Sequence, residues 1–227
     1  MRRERNIIFK NLDMSLSKEI AKNLIEKEAV KVKIDPPFTW VSGIKSPVYC
    51  DNRKMIAFPE ERKAVVEGFK KLIEETGVKF DVIGGTATAA IPWAAFLAYD
   101  LGVPMIYIRP EKKDHGAGKQ IEGYLEPGQR VLIVEDLVST GGSSVQAAEA
   151  VRNEGGCTVE DIFSIVTWEM PKAIERFEEA GLNLKTLTGY TDIIGYAAES
   201  GAIPADQLDT VLKFKEDPAA WGEMMGF

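Results

Sequence analysis

The chain has 227 residues, of which 45% are hydrophobic and 28% charged, and its formal net charge is −7. That balance fits a folded α/β domain and argues against non-specific nucleic-acid binding, which needs clustered positive charge. A single histidine and two distant cysteines, Cys50 and Cys157, exclude a Cys/His zinc site and speak against a disulfide framework, while no apolar run approaches the roughly 20 residues of a membrane span.

Residues 15–30 are predicted as an amphipathic helix with Leu16, Ile20, Leu24 and Ile25 on one face and Ser15 or Ser17 as N-cap. The proline-containing stretch 35–51 reads as a short hairpin or irregular strand pair. Pro59 suits a helix start, and Val65, Phe69 and Leu72 carry that helix to about residue 76. From there short apolar runs alternate with helices. Strands are expected at 80–84, 104–109, 130–135 and 159–167, with a last short one at 184–187. Helices are expected up to about residue 101, over 143–154, over 171–180 and at the C-terminus. This alternation predicts a doubly wound, mostly parallel sheet whose ligands lie beyond the carboxyl ends of the strands. One domain over residues 1–227 is expected, with residues 1 to about 55 adding a helix and a small hood. The charged N-terminus is followed by no apolar leader, so a cytoplasmic protein without membrane contact is expected.

The chemistry concentrates at residues 131–144. Four apolar residues lead into Glu135 and Asp136, then Leu137, Val138, Ser139, Thr140, Gly141, Gly142, Ser143 and Ser144, and then a helix. A strand that ends in a hydroxyl- and glycine-rich turn before a helix presents backbone N–H groups and a partial positive charge to a phosphate. Two carboxylates beside such a cradle would repel the phosphate, so they face something else. Vicinal ribose hydroxyls are one partner, and magnesium, directly or through water, is another. The Walker pattern is missing, because Gly118-Lys119 is followed by Gln120, and no G-x-G-x-x-G follows a strand.

A second segment, 109–119, gathers Arg109, Lys112, Lys113, His115 and Lys119 in an otherwise acidic protein. It reads either as a solvated surface loop or as a cationic lid. Residues 84–88 form a small-residue turn after a strand. They serve either as backbone donors or for tight helix–strand packing. Phe38, Trp40 and Tyr49 either stack on a flat ring or build the core of the hood.

The 131–144 segment resembles the phosphoribosyl pyrophosphate motif of the type I phosphoribosyltransferases. The wider chain resembles the orotate phosphoribosyltransferases in the form found in bacilli, through residues 37–53, 84–92, 108–116 and 131–144. That resemblance implies the type I phosphoribosyltransferase fold and a magnesium-dependent transfer of ribose 5-phosphate from phosphoribosyl pyrophosphate to orotate. It implies donor-binding positions at Arg109, Lys113, His115, Glu135, Asp136, Leu137, Val138, Ser139, Thr140, Gly141, Gly142 and Ser143. Ser139 also matches the orotate-contacting hydroxyl, and Lys113, His115 and Asp136 match the catalytic positions. Magnesium would arrive on the substrate, with Glu135 and Asp136 as its nearest protein oxygens. A homodimer that shares the lid across subunits is implied too.

Three departures from enterobacterial-type members stand out: Pro110 and Val41 replace lysines, and residues 164–171 lack an orotate-contacting arginine. Lys112 and Lys45 lie close to the first two. A transferase for another nucleobase would use the same phosphate loop. So would a non-catalytic phosphoribosyl pyrophosphate sensor, although the sequence carries no nucleic-acid module for one.

Overall fold

The computed structural model describes residues 14–40, 42–111 and 120–227. Helix α1 (Met14–Glu26) buries Ser17, Ile20, Ala21 and Leu24, the i, i+3, i+4, i+7 stripe of a helix with one apolar face. Ser15 and Ser17, expected as caps, lie inside its first turn instead. The Ser17 hydroxyl donates to the Asp192 carboxylate and shares a hydrogen bond with the Thr188 hydroxyl, so it cross-links α1 to the sheet and to a later helix.

The hood follows as two small antiparallel ladders. Strand β1 (Val30–Val32) pairs with β4 (Val48–Cys50), and β2 (Phe38–Thr39) pairs with β3 (Lys45–Ser46). A 3₁₀ turn, Asn52–Ala57, leads to α2 (Pro59–Thr76), whose bounds match the expectation at both ends. Pro59 begins it with φ already set, and Gly77 ends it in the left-handed conformation at φ 63°.

The remaining elements are β5 (Val82–Thr86), α3 (Ile91–Leu101), β6 (Met105–Ile108), β7 (Ile121–Glu122), β8 (Val131–Val138), α4 (Gly142–Gly155), β9 (Asp161–Thr167), α5 (Pro171–Glu179), β10 (Asn183–Gly189), α6 (Tyr190–Glu199), α7 (Leu208–Leu212) and α8 (Pro218–Met224). The sheet order is β10-β9-β8-β5-β6-β7. Neighbours run parallel except β7, an unexpected two-residue strand that closes the edge antiparallel to β6. Helices α1, α2, α3 and α6 cover one face, and α4 and α5 cover the other. The fold is the predicted doubly wound sheet with its hood.

The chain winds outward from β5 to β6, then returns to β8 and winds the other way. The strand order therefore switches between β5 and β8, where the carboxyl ends of adjacent strands open a crevice. Two strands outrun their expected ends there. Strand β8 continues three residues to Val138, because β9 supplies a ladder partner at Glu135, Leu137 and Val138. Strand β5 likewise runs through Gly85 and Thr86 alongside Tyr107 and Ile108. A Cβ on Gly85 would lie 2.8 Å from that of Ala94, so the glycine lets α3 pack directly on the strand. At Gly85, then, the tight-packing alternative describes the residue.

Candidate functional site

Glu135 and Asp136 are consecutive residues near the end of β8, and their carboxylates lie close enough for each to shift the other's proton affinity. Glu135 is 5% exposed. Its Oε1 accepts from the Thr86 hydroxyl at 2.5 Å and from the Asp136 backbone N–H at 3.2 Å, while Oε2 accepts from the Ser144 hydroxyl at 3.0 Å. One carboxylate thus ties the end of β5, the end of β8 and the first turn of α4 together across the crevice. Burial pushes its pKa up to about 7, the charge of Asp136 adds to the rise, and the two hydroxyls oppose it.

Asp136 is half-buried, and burial raises its pKa as well. The hood reaches it through Asn52, a buried side chain whose Nδ2 donates to the Asp136 carbonyl at 2.8 Å. Carboxylate and hydroxyl oxygens are hard donors suited to magnesium. Among the described residues, however, no group of three or more His, Cys, Asp and Glu side chains gathers as a protein metal cage.

Beyond Val138 the chain turns through Ser139 and Thr140 to Gly141, which caps α4 at φ 77° without a side chain of its own. A Cβ there would sit 2.7 Å from the Phe177 ring, so close packing as well as backbone geometry requires glycine. The first N–H groups of α4 open at this turn without intrahelical partners, the arrangement from which an anion can accept. Helix α5 supports the turn from outside. Arg176 Nη1 donates at 2.9 Å to both the carbonyl and the hydroxyl of Thr140.

Next to this turn lies a cavity of about 320 Å³ lined by Thr39, Trp40, Tyr49, Cys50, Leu137, Ser139 and Trp168. The hood forms one wall, and the ends of β8 and β9 form the other. Trp40 and Tyr49 line it as the ring-stacking alternative requires, whereas Phe38 packs behind Tyr49 at a centroid distance of 5.8 Å. Lys45 does not line it, but its Nζ donates to the hydroxyl of Thr39, which does, at 3.0 Å. Burial and the charges of Asp136 and Asp51 push the Cys50 thiol up, so it faces the cavity as a neutral group. A second cavity of about 610 Å³ continues from Trp40 and Ser139 past Thr140 and Met170 to Lys172.

The cationic segment is described only at its stems. Lys112, Lys113, His115 and Lys119 lie outside the described residues, as does Val41. Arg109, at the end of β6, has its Nη1 3.7 Å from Glu122. The Gln120 side chain donates to the carbonyls of Arg109 and Pro110 at 2.9 and 3.2 Å, and Gln146 of α4 donates to Pro110 at 3.0 Å. Both stems are thereby fixed beside the phosphate-type turn.

The structure thus brings Glu135 through Ser143 together at one strand end, with Arg109 just past the end of β6, the strand next to β5. Sequence reasoning passed over Thr86, Asn52, Trp168 and Arg176 as site residues. The one local signal for Trp168 was a large aromatic at the end of β9, in the segment noted only for lacking arginine.

The phosphoribosyl transferase domain family matches residues 55–186, more than half of the chain. The orotate phosphoribosyltransferase of Enterococcus faecalis is 47% identical over 208 residues, covering 92% of this chain and 99% of that protein. Among solved structures, the orotate phosphoribosyltransferase of Aeropyrum pernix superposes with a TM-score of 0.70 at 29% identity, covering 82% of this chain and 99% of that one. The UMP synthase of Leishmania donovani gives a TM-score of 0.74 at 32% identity over 87% of this chain, which spans 42% of that longer one.

Proposed function

The chain belongs to the orotate phosphoribosyltransferases, a branch of the phosphoribosyl transferase domain family, and from that premise we propose how its site carries out the transfer. Ribose 5-phosphate passes from phosphoribosyl pyrophosphate to N1 of orotate, giving orotidine 5′-phosphate and pyrophosphate. The carrying observation is that one residue, Ser139, borders both an anion-ready turn and an aromatic-walled cavity of about 320 Å³. A ribose can bridge a phosphate in the first and a flat base in the second.

In this reading the N–H groups and hydroxyls of residues 139–143 hold the 5′-phosphate, with Leu137 and Val138 leading into the turn. Asp136 meets the ribose hydroxyls. Glu135 shares that task while its carboxylate holds the two strand ends in register. Trp40, Tyr49 and Trp168 enclose the base, and Ser139 contacts it. Orotate enters as an anion and is a competent nucleophile, so positioning and stabilisation of an oxocarbenium-like C1 carry the rate. Glu135 and Asp136 would be the protein oxygens nearest a magnesium ion carried by the donor, which would supply charge neutralisation for the pyrophosphate leaving group. Arg109, Lys113 and His115 provide the cationic contacts to that leaving group, the last two from a lid shared across a homodimer. The chain acts as one domain, with residues 1 to about 55 as helix and hood. Free thiols at Cys50 and Cys157 suit a cytoplasmic location, and among the described residues no helix is long and apolar enough to cross a membrane.

The test is orotate depletion with phosphoribosyl pyrophosphate and magnesium, run in parallel with uracil, adenine and hypoxanthine. Turnover confined to orotate supports the assignment, and preference for another base overturns it. Mixing Lys113→Ala with Asp136→Asn subunits should restore partial activity if the lid acts in trans.

A further inference from the structure

The phosphate turn carries no cation of its own from Leu137 to Ser144, although its expected ligand is a dianion. Helix α5 lies against it through residues spaced as one helical face. Phe177 and Ala173 occupy the space a Cβ on Gly141 would need, and Arg176 lies over Thr140 and beside Gly142. Arg176 Nη1 bonds both oxygens of Thr140 at 2.9 Å and is 3.0 Å from where a Cβ on Gly142 would sit. The guanidinium therefore brackets the tightest part of the turn, at the N-terminal end of α4.

That position is electrostatically unfavourable with respect to α4, whose N-terminus is already the positive end of its dipole. Arg176 belongs to the last turn of α5, where a cation is favourable, and this accounts for part of its placement. No ion pair among the described residues neutralises it. An anion between the guanidinium and the α4 N-terminus would turn repulsion into attraction on both sides.

We propose that Arg176 is a positioning residue for the donor's 5′-phosphate: it fixes Thr140 so that the N–H groups of the turn converge, and it supplies the cation that the turn lacks. The inference rests on the reading of residues 139–143 as the phosphate loop. It adds a residue that lies 36 positions from Thr140 in the chain.

The experiment compares Arg176→Ala, Arg176→Lys and Arg176→Gln, with Ser143→Asp as a control on the loop itself. Ser143 is exposed at a helix start where a carboxylate is tolerated, so the control should fold while repelling phosphate. Melting temperature, kcat, both KM values and competition by inorganic phosphate are measured at low and high potassium chloride. Arg176→Ala should raise the KM for phosphoribosyl pyrophosphate and the inhibition constant of phosphate by about tenfold, the size of one charge-assisted contact at a part-exposed site. The kcat, the orotate KM and the melting temperature should stay close to wild type. High salt should shrink the difference. Arg176→Lys should recover most of the loss and Arg176→Gln little. Unchanged donor binding in Arg176→Ala, or equal rescue by glutamine, would overturn the proposal. If Ser143→Asp weakens donor binding and Arg176→Ala does not, only this inference fails. If neither does, the phosphate-loop reading fails with it.

Discussion

Gly141→Ala isolates the turn on which the site depends. A Cβ there carries two penalties. The backbone sits at φ 77°, which costs an alanine about 1–2 kcal/mol. The new methyl would also lie 2.7 Å from Cε2 and 3.0 Å from Cδ2 of Phe177, a fully buried ring within the core beneath α4 and α5. That ring cannot swing aside, so overpacking adds about 1–3 kcal/mol unless the turn itself moves. The sum, about 2–5 kcal/mol, corresponds to a fall in melting temperature of very roughly 4–20 °C for a chain of this size. Whatever the turn recovers by shifting is taken from the convergence of its N–H groups, so donor KM should rise even in protein that remains folded. Gly142→Ala is the internal comparison, since its Cβ would meet only the end of the Arg176 side chain at 3.0 Å, and it should be much milder. Thermal melts and donor saturation curves on both variants provide the assay. A Gly141→Ala protein that melts within about 2 °C of wild type and binds the donor normally would refute the packing argument.

Other perturbations follow from the same geometry. Glu135 has a folded-state pKa above its ordinary 4.5, so its contribution to stability is greatest in acid and is lost as pH climbs through about 7. Glu135→Gln should therefore gain stability relative to wild type by up to about 3 kcal/mol between pH 5 and pH 8 while losing turnover; a pH-independent difference in melting temperature would rule this out. On the proposed ribose contact, Asp136→Asn should lower kcat by about a hundredfold or more in protein that still folds, and unchanged turnover would remove Asp136 from the mechanism. Asn52→Ala should cost about 1–2 kcal/mol by leaving the Asp136 carbonyl without its 2.8 Å donor, and a denaturant titration would show it.

The strands and most helices were legible because their signals are local. Residues 131–134 are buried on both faces, as an uninterrupted apolar run in a central parallel strand should be, and Pro59 and Gly77 bound α2 by backbone preference alone. The acidic pair and the phosphate turn were legible for the same reason, being contiguous. Contacts closed by the fold were not legible. Thr86 reaches Glu135 across 49 residues, Asn52 reaches Asp136 across 84, and Arg176 reaches Thr140 across 36. The extension of β8 through its two carboxylates depended on β9 as ladder partner, and β7, at two residues, has no periodicity to read. Ser15 and Ser17 lie within the described helix rather than ahead of it, and Ser17 is drawn inward by Thr188 and Asp192.

The cavity under the hood is assembled from parts far apart in the chain. Trp40 comes from the hood and Trp168 from the end of β9, yet both are held by one aromatic chain. Trp168 meets Tyr190 edge-on at 5.8 Å, Tyr190 meets Phe214 at 6.0 Å, and Phe214 meets Trp40 edge-on at 5.5 Å. Tyr190 is tied to Val211 through its hydroxyl, and Lys215 bonds Glu169, the residue next to Trp168. The segment after α6 therefore braces both walls without lining the cavity. Since edge-to-face pairs fix ring orientation as well as separation, the spacing of the walls depends on Phe214 even though no ligand would touch it. The cavity is in that sense built from three segments, with Trp40 and Tyr49 from the hood, Ser139 from the turn after β8 and Trp168 from the end of β9.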